Sequence, residues 1–274
     1  MPLLKSRKLR LTDRDLDFLV TAAAPEVADR SRLKEIIRED EDFRNSFITD
    51  EQVFKRIMDD EEILLKISPA LLFEILLRKA VSDLSEAAYT VEKEGGMKIP
   101  VFDAEDVVDL LHDEALLAYL AGMLSSFTRV ESYTISFRTR EGVLKKIRFN
   151  DLDIHTLMGF ADAVNDEYRL GFYKRIADIC LFILGIFPNY AEKNYRYPFS
   201  GQLRPALGGR LRFSPEDYEI AGRKFYKLAA THHAAQEMDL SEVFWTLYGN
   251  FQMAKKPLNF ISEHYLQYMK HNLF

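Results

Sequence analysis

The sequence predicts an all-α, mainly helical fold: a multi-helix globule with one β-hairpin insertion near residues 132–149. Apolar residues recur three and four positions apart along most of the chain, which is the spacing of one helix face. Serine, aspartate and proline stand where several of these stretches begin, and these residue types favour helix starts. One stretch instead alternates between apolar and polar residues, and that pattern indicates two short strands.

Residues 12–66 are predicted to form a series of short amphipathic helices with acidic outer faces. Thr12 is the expected N-cap of the first, because acids follow it in the first turn.

A longer helix is predicted to begin at Ser68-Pro69, since serine caps and proline needs no N–H partner in a first turn. We expect it to extend to Val91 and to end before Gly95-Gly96, because glycine readily adopts the left-handed conformation beyond a helix end.

The hairpin is predicted from a change of period. Tyr133, Ile135 and Phe137 alternate with polar residues, and alternation resumes after a short loop that contains Gly142. Residues 189–213 are expected to be irregular, because prolines and glycines interrupt them. The remaining predicted helices are 103–111, 113–129, 150–164, 167–187, 214–237, 240–254 and 257–271.

The chain is predicted to form a single compact domain, 1–274, with lobes 1–130 and 151–274 joined by the hairpin as the alternative. Its most apolar stretch, 176–187, is too short to span a bilayer, and no apolar leader follows Met1. We therefore expect a cytoplasmic protein without a membrane partner. Cys180 is the only cysteine and lies in that apolar stretch, so it is predicted to be a buried thiol and not a nucleophile.

Charge is distributed unevenly. The net charge of −6 argues against a globally basic nucleic-acid binder. Residues 102–116, however, carry six acids and no lysine or arginine, whereas residues 193–212 carry five bases and no acid. Local patches of this kind affect recognition more than the net charge does.

Two basic segments are the candidate anion- or nucleic-acid-binding sites. Cations bind phosphates and aromatic ring faces stack on bases, so the mixture suits single-stranded nucleic acid or a phosphorylated small molecule. The hairpin candidates are Arg138, Arg140, Lys145 and Lys146. The loop candidates are Lys193, Arg196, Arg204, Arg210 and Arg212, together with Tyr195 and Tyr197. Ordinary surface cations, paired with acids elsewhere in the chain, explain the same residues without a ligand.

The order helix–helix–hairpin over residues 103–149 is similar to that of a winged helix-turn-helix unit. Such a unit reads bases from its second helix, but here that helix offers leucines, Met123 and Phe127, and its one basic residue is Arg129 at the end. A helical core with a protruding hairpin is therefore the favoured interpretation.

His232 and His233 are the strongest metal candidates, and Glu237 lies four residues after His233. No further ligand pair has suitable spacing, so we predict no metal and no cofactor, and we expect His232 to be packed against polar partners. Nucleophile, kinase and dinucleotide-binding motifs are absent from the sequence.

These observations favour a non-enzymatic regulatory or protein-interaction protein whose partner is another protein or a second copy of itself. One alternative is a nucleic-acid-binding regulator that uses the winged-helix-like segment 103–149 and the basic-aromatic loop 187–213. The other is an enzyme or sensor that holds a phosphorylated small molecule in that loop.

Overall fold

The structure is a computed structural model, and it describes residues 10–94, 97–129, 132–138, 144–150, 152–189, 213–267, 269 and 273. The side chains of 93, 94, 132–138 and 144–150 lie outside that description. Within it, the mainly helical fold and the predicted hairpin are confirmed. No helix of the described residues combines the length and the apolar character needed to cross a bilayer.

The helices before the predicted hairpin are α1 (Asp13–Ala23), α2 (Arg30–Glu39), α3 (Glu41–Ile48), α4 (Glu51–Asp59), α5 (Ile63–Lys66), α6 (Pro69–Ser85), α7 (Ala104–Leu111) and α8 (Glu114–Ser126). The helices after it are α9 (Ile154–Ala163), α10 (Asp166–Ile186), α11 (Pro215–Thr231), α12 (His233–Glu237), α13 (Ser241–Gly249) and α14 (Phe251–His264). The strands are β1 (Thr90–Glu94), β2 (Met97–Val101), β3 (Ser132–Arg138) and β4 (Leu144–Asn150).

The chain folds into two compact units. The N-terminal unit contains the described residues up to 128 together with those from 256 onward, and the C-terminal unit contains those from 129 to 255. Helices α7 and α8 thus belong to one unit and the β3–β4 hairpin to the other. The prediction of a single domain stays a prediction.

The N-terminal unit is built around α6, which packs against α3, α4, α7 and α8. Ser68 caps this helix by accepting a hydrogen bond from the Leu71 N–H, and Pro69 occupies its first turn, as predicted. The Ser68 N–H donates to the buried Asp15 carboxylate over 2.6 Å, and Asp15 also completes the capping box of α1 with Thr12. One carboxylate therefore fixes the starts of two helices against each other.

The C-terminal unit is built around α10, which packs against α9 and α11, while α11 also packs against α13. The apolar stretch around Cys180 is buried as predicted. Gly222 on α11 allows a close approach: a Cβ there would lie 2.5 Å from the ring of Phe251 and 3.0 Å from the Cβ of Cys180. Any larger residue at this position requires the ring of Phe251 to shift.

The first hairpin, β1–β2, was not predicted. Helix α6 ends at Ser85, six residues before the predicted end, and the chain then forms two antiparallel strands that pair Thr90 with Val101 and Glu94 with Met97. The predicted second hairpin pairs Ser132 with Asn150 through Arg138 with Leu144.

Several predicted helix boundaries are corrected. The helices predicted over 240–254 and 257–271 are α13 and α14, which are divided at Asn250, and Pro257 lies inside α14. Asp153, and not Asn150, is the N-cap of α9, with its carboxylate accepting the Thr156 N–H. The helix predicted over 214–237 is divided at His232, whose side chain caps the short helix α12.

Candidate protein-binding site

Lys256, on α14, is the centre of a polar cluster in the N-terminal unit. Its ammonium forms ion pairs with Asp103, and with Glu92 over 2.7 Å. It also donates to the Thr90 hydroxyl over 3.4 Å, and that hydroxyl donates in turn to Asp103 over 2.5 Å. The Lys256 side chain is only 6% exposed, so this cluster attaches the β1–β2 hairpin to α14 through a buried ammonium.

Asp103 shows how strongly this cluster determines the local structure. It is the N-cap residue of α7, and an aspartate at that position normally accepts a hydrogen bond from the helix's first N–H groups. Here its side chain makes no capping bond, because both oxygens are directed at Thr90 and Lys256. The attachment of the hairpin replaces a local cap.

The surroundings of Lys256 stabilise its charged ammonium form. Burial alone would lower the pKa of its ammonium, but hydrogen bonds and charge attraction from Asp103 and Glu92 outweigh burial and raise the pKa above its usual value. Lys256 is therefore a paired cation, and a neutral nucleophilic amine is disfavoured.

A second attachment lies just beyond the C-terminal end of α14. The Tyr265 hydroxyl donates to Asp83 on α6 over 2.6 Å, and its ring packs edge-on against Phe54 with centroids 5.3 Å apart. Burial first, and then the hydrogen bond to Asp83, raise the pKa of this phenol. Lys256 thus attaches α14 to β1, and Tyr265 attaches the C-terminal end of α14 to α6.

A pocket of about 370 Å³ opens beside Lys256. One wall is formed by Leu84, near the end of α6, and by residues 87–91, which lead into β1. The other is formed by α14 residues from Lys256 to His264, including Phe260, whose ring stacks on that of His264 with centroids 4.1 Å apart. The lining is mostly apolar, as in sites that receive a hydrophobic side chain.

The hairpin beside this pocket carries exposed apolar side chains on both of its faces, and we call this set of residues the hairpin patch. By the strand register, Met97 and Ile99 lie on the face opposite to that of Val91. Five of the ten exposed large hydrophobic residues of the described chain lie within 14 positions of sequence here. The patch consists of Tyr89, Val91, Met97, Ile99 and Phe102. Phe102 is 80% exposed and Met97 66%, and the rings of Tyr89 and Phe102 contact each other edge-on. Clustered exposed apolar residues of this kind mark interaction sites more often than scattered ones do.

An acidic helix follows the patch directly. Helix α7 begins two residues after Phe102 and exposes Glu105, Asp106 and Asp109, while its buried face packs into the core. Asp109 lies 3.8 Å from His112, and no salt bridge in the described part of the chain involves Glu105 or Asp106. The surface next to the patch is therefore negatively charged.

The binding residues predicted from the sequence lie elsewhere. Arg138 is in β3 and Lys145 and Lys146 are in β4, where the backbone pairs Phe137 with Lys145, but their side chains are outside the description. The remaining candidates also lie outside the described residues: Arg140, Lys193, Arg196, Arg204, Arg210, Arg212, Tyr195 and Tyr197. The nucleic-acid and phosphate-binding hypotheses stay predictions.

The histidine pair has a structural role. His232 is buried as predicted: its Nε2 lies 2.9 Å from the Asp166 carbonyl oxygen, and its Nδ1 accepts the Ala234 N–H over 3.2 Å. Asp166, His232 and His233 bring ligand-type atoms within 4.8 Å of one another. A metal ion there would have to displace a backbone partner of His232, so these residues are better explained as a helix junction.

Comparison with known proteins identifies no relative. The chain matches no protein-family model, and neither a curated protein nor a solved structure shows significant similarity to it.

Proposed function

We propose that the protein is a non-enzymatic interaction protein that binds another protein through the hairpin patch. The observation that carries the proposal is the concentration of exposed apolar side chains between Tyr89 and Phe102 beside an apolar pocket. Leaving such residues in water brings no benefit to an isolated chain and promotes aggregation, whereas burying them against a partner is favourable at about 25 cal/mol per Å².

The chemistry of two nucleophile-type residues supports a role without catalysis. Lys256 is charged and paired with two carboxylates. Cys180 is fully buried, and burial together with the charge of Asp178 raises the pKa of its thiol, so the reactive thiolate is disfavoured.

The test compares two double variants of the full chain. Met97→Ser with Phe102→Ser removes the most exposed part of the patch. Leu65→Ser with Ile220→Ser is the matched control, because these residues are 73% and 67% exposed but lie outside the patch. Proteins cross-linked to each variant in cells are captured and quantified by mass spectrometry, and light scattering reports self-association.

We expect the patch variant to lose at least one specific partner by tenfold or more, while the control retains it. Circular dichroism should show both variants equally folded. Equal capture by the wild-type protein and the patch variant would refute the proposal.

A further inference from the structure

We infer that the partner contributes an extended segment, which adds as a third strand to the outer edge of β1 and carries basic residues flanking an apolar one. The apolar side chain occupies the pocket between β1 and α14, and the basic residues face the acids of α7. This inference depends on the proposed function and specifies the mode of binding.

The β1–β2 sheet has only two strands in the described part of the chain, so each strand has an outer edge without a strand partner. An unpaired edge presents backbone N–H and C=O groups that can pair with an added strand.

Pro100 decides between the edges. It lies in β2 opposite Val91 and has no N–H. Within a sheet, proline is accommodated where its missing donor would point away from the neighbouring strand. The pair Val91–Pro100 is therefore a non-hydrogen-bonded pair, in which the backbone groups of both residues point outward.

The outer edge of β2 consequently lacks a donor at Pro100, which protects it against strand addition. The outer edge of β1 keeps both groups of Val91, and no group outside the hairpin in the described chain pairs with them. By the same alternation, Lys93 also presents its backbone outward. The β1 edge is the one that can accept a strand.

The pocket lies along this edge. Consecutive residues from Ala87 to Val91 line it, which places it beside the β1 backbone, and Phe260 and His264 of α14 form the facing wall. A strand added to β1 alternates its side chains, so one of them is positioned to enter the pocket. A large apolar or aromatic side chain suits walls formed by Leu84, Ala87 and Phe260.

The charge near the pocket favours basic residues in the partner segment. Lys256, beside the pocket, is neutralised by Asp103 and Glu92, and Lys98 is an exposed cation on β2, the strand opposite the β1 edge. Glu105 and Asp106 are exposed on α7 directly after the patch. Lysine or arginine beside the apolar anchor is therefore attracted to this surface, and an acidic segment is repelled.

The probe for the test is a phage-displayed library of random peptides selected on the full-length protein. We expect enrichment of peptides in which apolar and basic residues alternate. The best peptide is then synthesised with and without N-methylation of its central backbone amides, which removes the donors that strand pairing needs. Affinities are measured by fluorescence anisotropy.

A matched pair of protein variants tests the edge. Val91→Pro removes an outward N–H from the β1 edge, and Lys98→Pro removes an outward N–H from the β2 edge of the same hairpin. Peptide binding should weaken at least tenfold with Val91→Pro or with N-methylation and less than threefold with Lys98→Pro. Because N-methylation is tested on the unmodified protein, the result does not depend on the folding of either variant.

Three outcomes overturn the inference: no enrichment of peptides, enrichment of acidic or helically periodic peptides, or binding that tolerates N-methylation. If these occur while the Met97→Ser with Phe102→Ser variant still loses its cellular partner, the patch binds proteins in another way. If that variant loses no partner, the proposed function itself fails.

Discussion

Two lysines, one in each unit, are buried to a similar extent but form ion pairs of different kinds. Lys174 and Lys256 are 8% and 7% exposed. Lys174 pairs over 2.5 Å with Asp178, one turn further along α10, and Asp178 also accepts the Tyr226 hydroxyl over 2.9 Å from α11. Lys256 instead pairs with Asp103, 153 positions away in sequence, beside a pocket and an exposed apolar patch.

The difference separates a core feature from one that supports a surface. The Lys174 pair lies within one helix, and its carboxylate is fully buried. The Lys256 cluster holds a two-stranded hairpin, which is marginally stable alone, against α14. The first ion pair lies in the core of its unit, and the second attaches a candidate binding edge.

The largest expected effect distinguishes the two lysines directly. Lys174→Met removes the ammonium 2.5 Å from the fully buried carboxylate of Asp178 and should lower the free energy of unfolding by about 3–5 kcal/mol. Lys256→Met should cost about 2 kcal/mol, because Glu92 is 41% exposed and regains water while Asp103 keeps its bond from Thr90. Urea unfolding of both variants measures the difference. Equal costs would show that the two ion pairs are energetically alike.

Helix packing in the C-terminal unit gives the next effect. Gly222→Ala places a methyl group against Phe251, whose ring contacts that of Tyr226, and should destabilise by about 1–3 kcal/mol. Gly171→Ala on α10 is the control, because a Cβ there meets nothing within 4 Å. It should be neutral or stabilise by up to about 1 kcal/mol. Thermal unfolding measures both, and a neutral Gly222→Ala would contradict the close approach.

Alkaline pH should affect the Lys256 cluster. Since the folded-state pKa of Lys256 is raised, its contribution to stability is complete below the unfolded-state pKa of about 10.4 and is lost as pH rises through the folded-state value. The free energy of unfolding should therefore fall above about pH 10, and less steeply in Lys256→Met. Urea titrations across this range test the slope, and identical slopes would show that Lys256 is not the titrating group.

The smallest stability effect belongs to the hairpin patch. Phe102→Ser should change the free energy of unfolding by no more than about 0.5 kcal/mol, because the side chain is 80% exposed. The same variant should reduce partner binding strongly. A large loss of stability would mean that Phe102 serves the fold and not a partner.

Local sequence signals predicted much of the fold. Ser68-Pro69 marked the start of α6, and Ser214 with Asp217 forms a capping box at the start of α11, because capping depends on neighbours three residues apart. The β3–β4 hairpin was visible from its alternation.

The β1–β2 hairpin was missed for a specific reason. Ala87, Ala88 and Val91 continue the helical spacing of α6, so the sequence around the glycine pair has the pattern of a helix end. The Lys256 cluster could not be predicted from the sequence, because Glu92 and Asp103 are brought to Lys256 only by tertiary folding. A lysine on an amphipathic helix looks like any surface lysine until its neighbours are known.

The burial of Cys180 has a practical consequence for site-directed labelling. The thiol is enclosed in the core and its pKa is raised by burial, so maleimide reagents should leave it unmodified in the folded protein. A cysteine introduced in place of Phe102 would then be the only reactive thiol of the folded protein. A fluorophore or photocrosslinker attached there would report directly on the hairpin, without removal of Cys180.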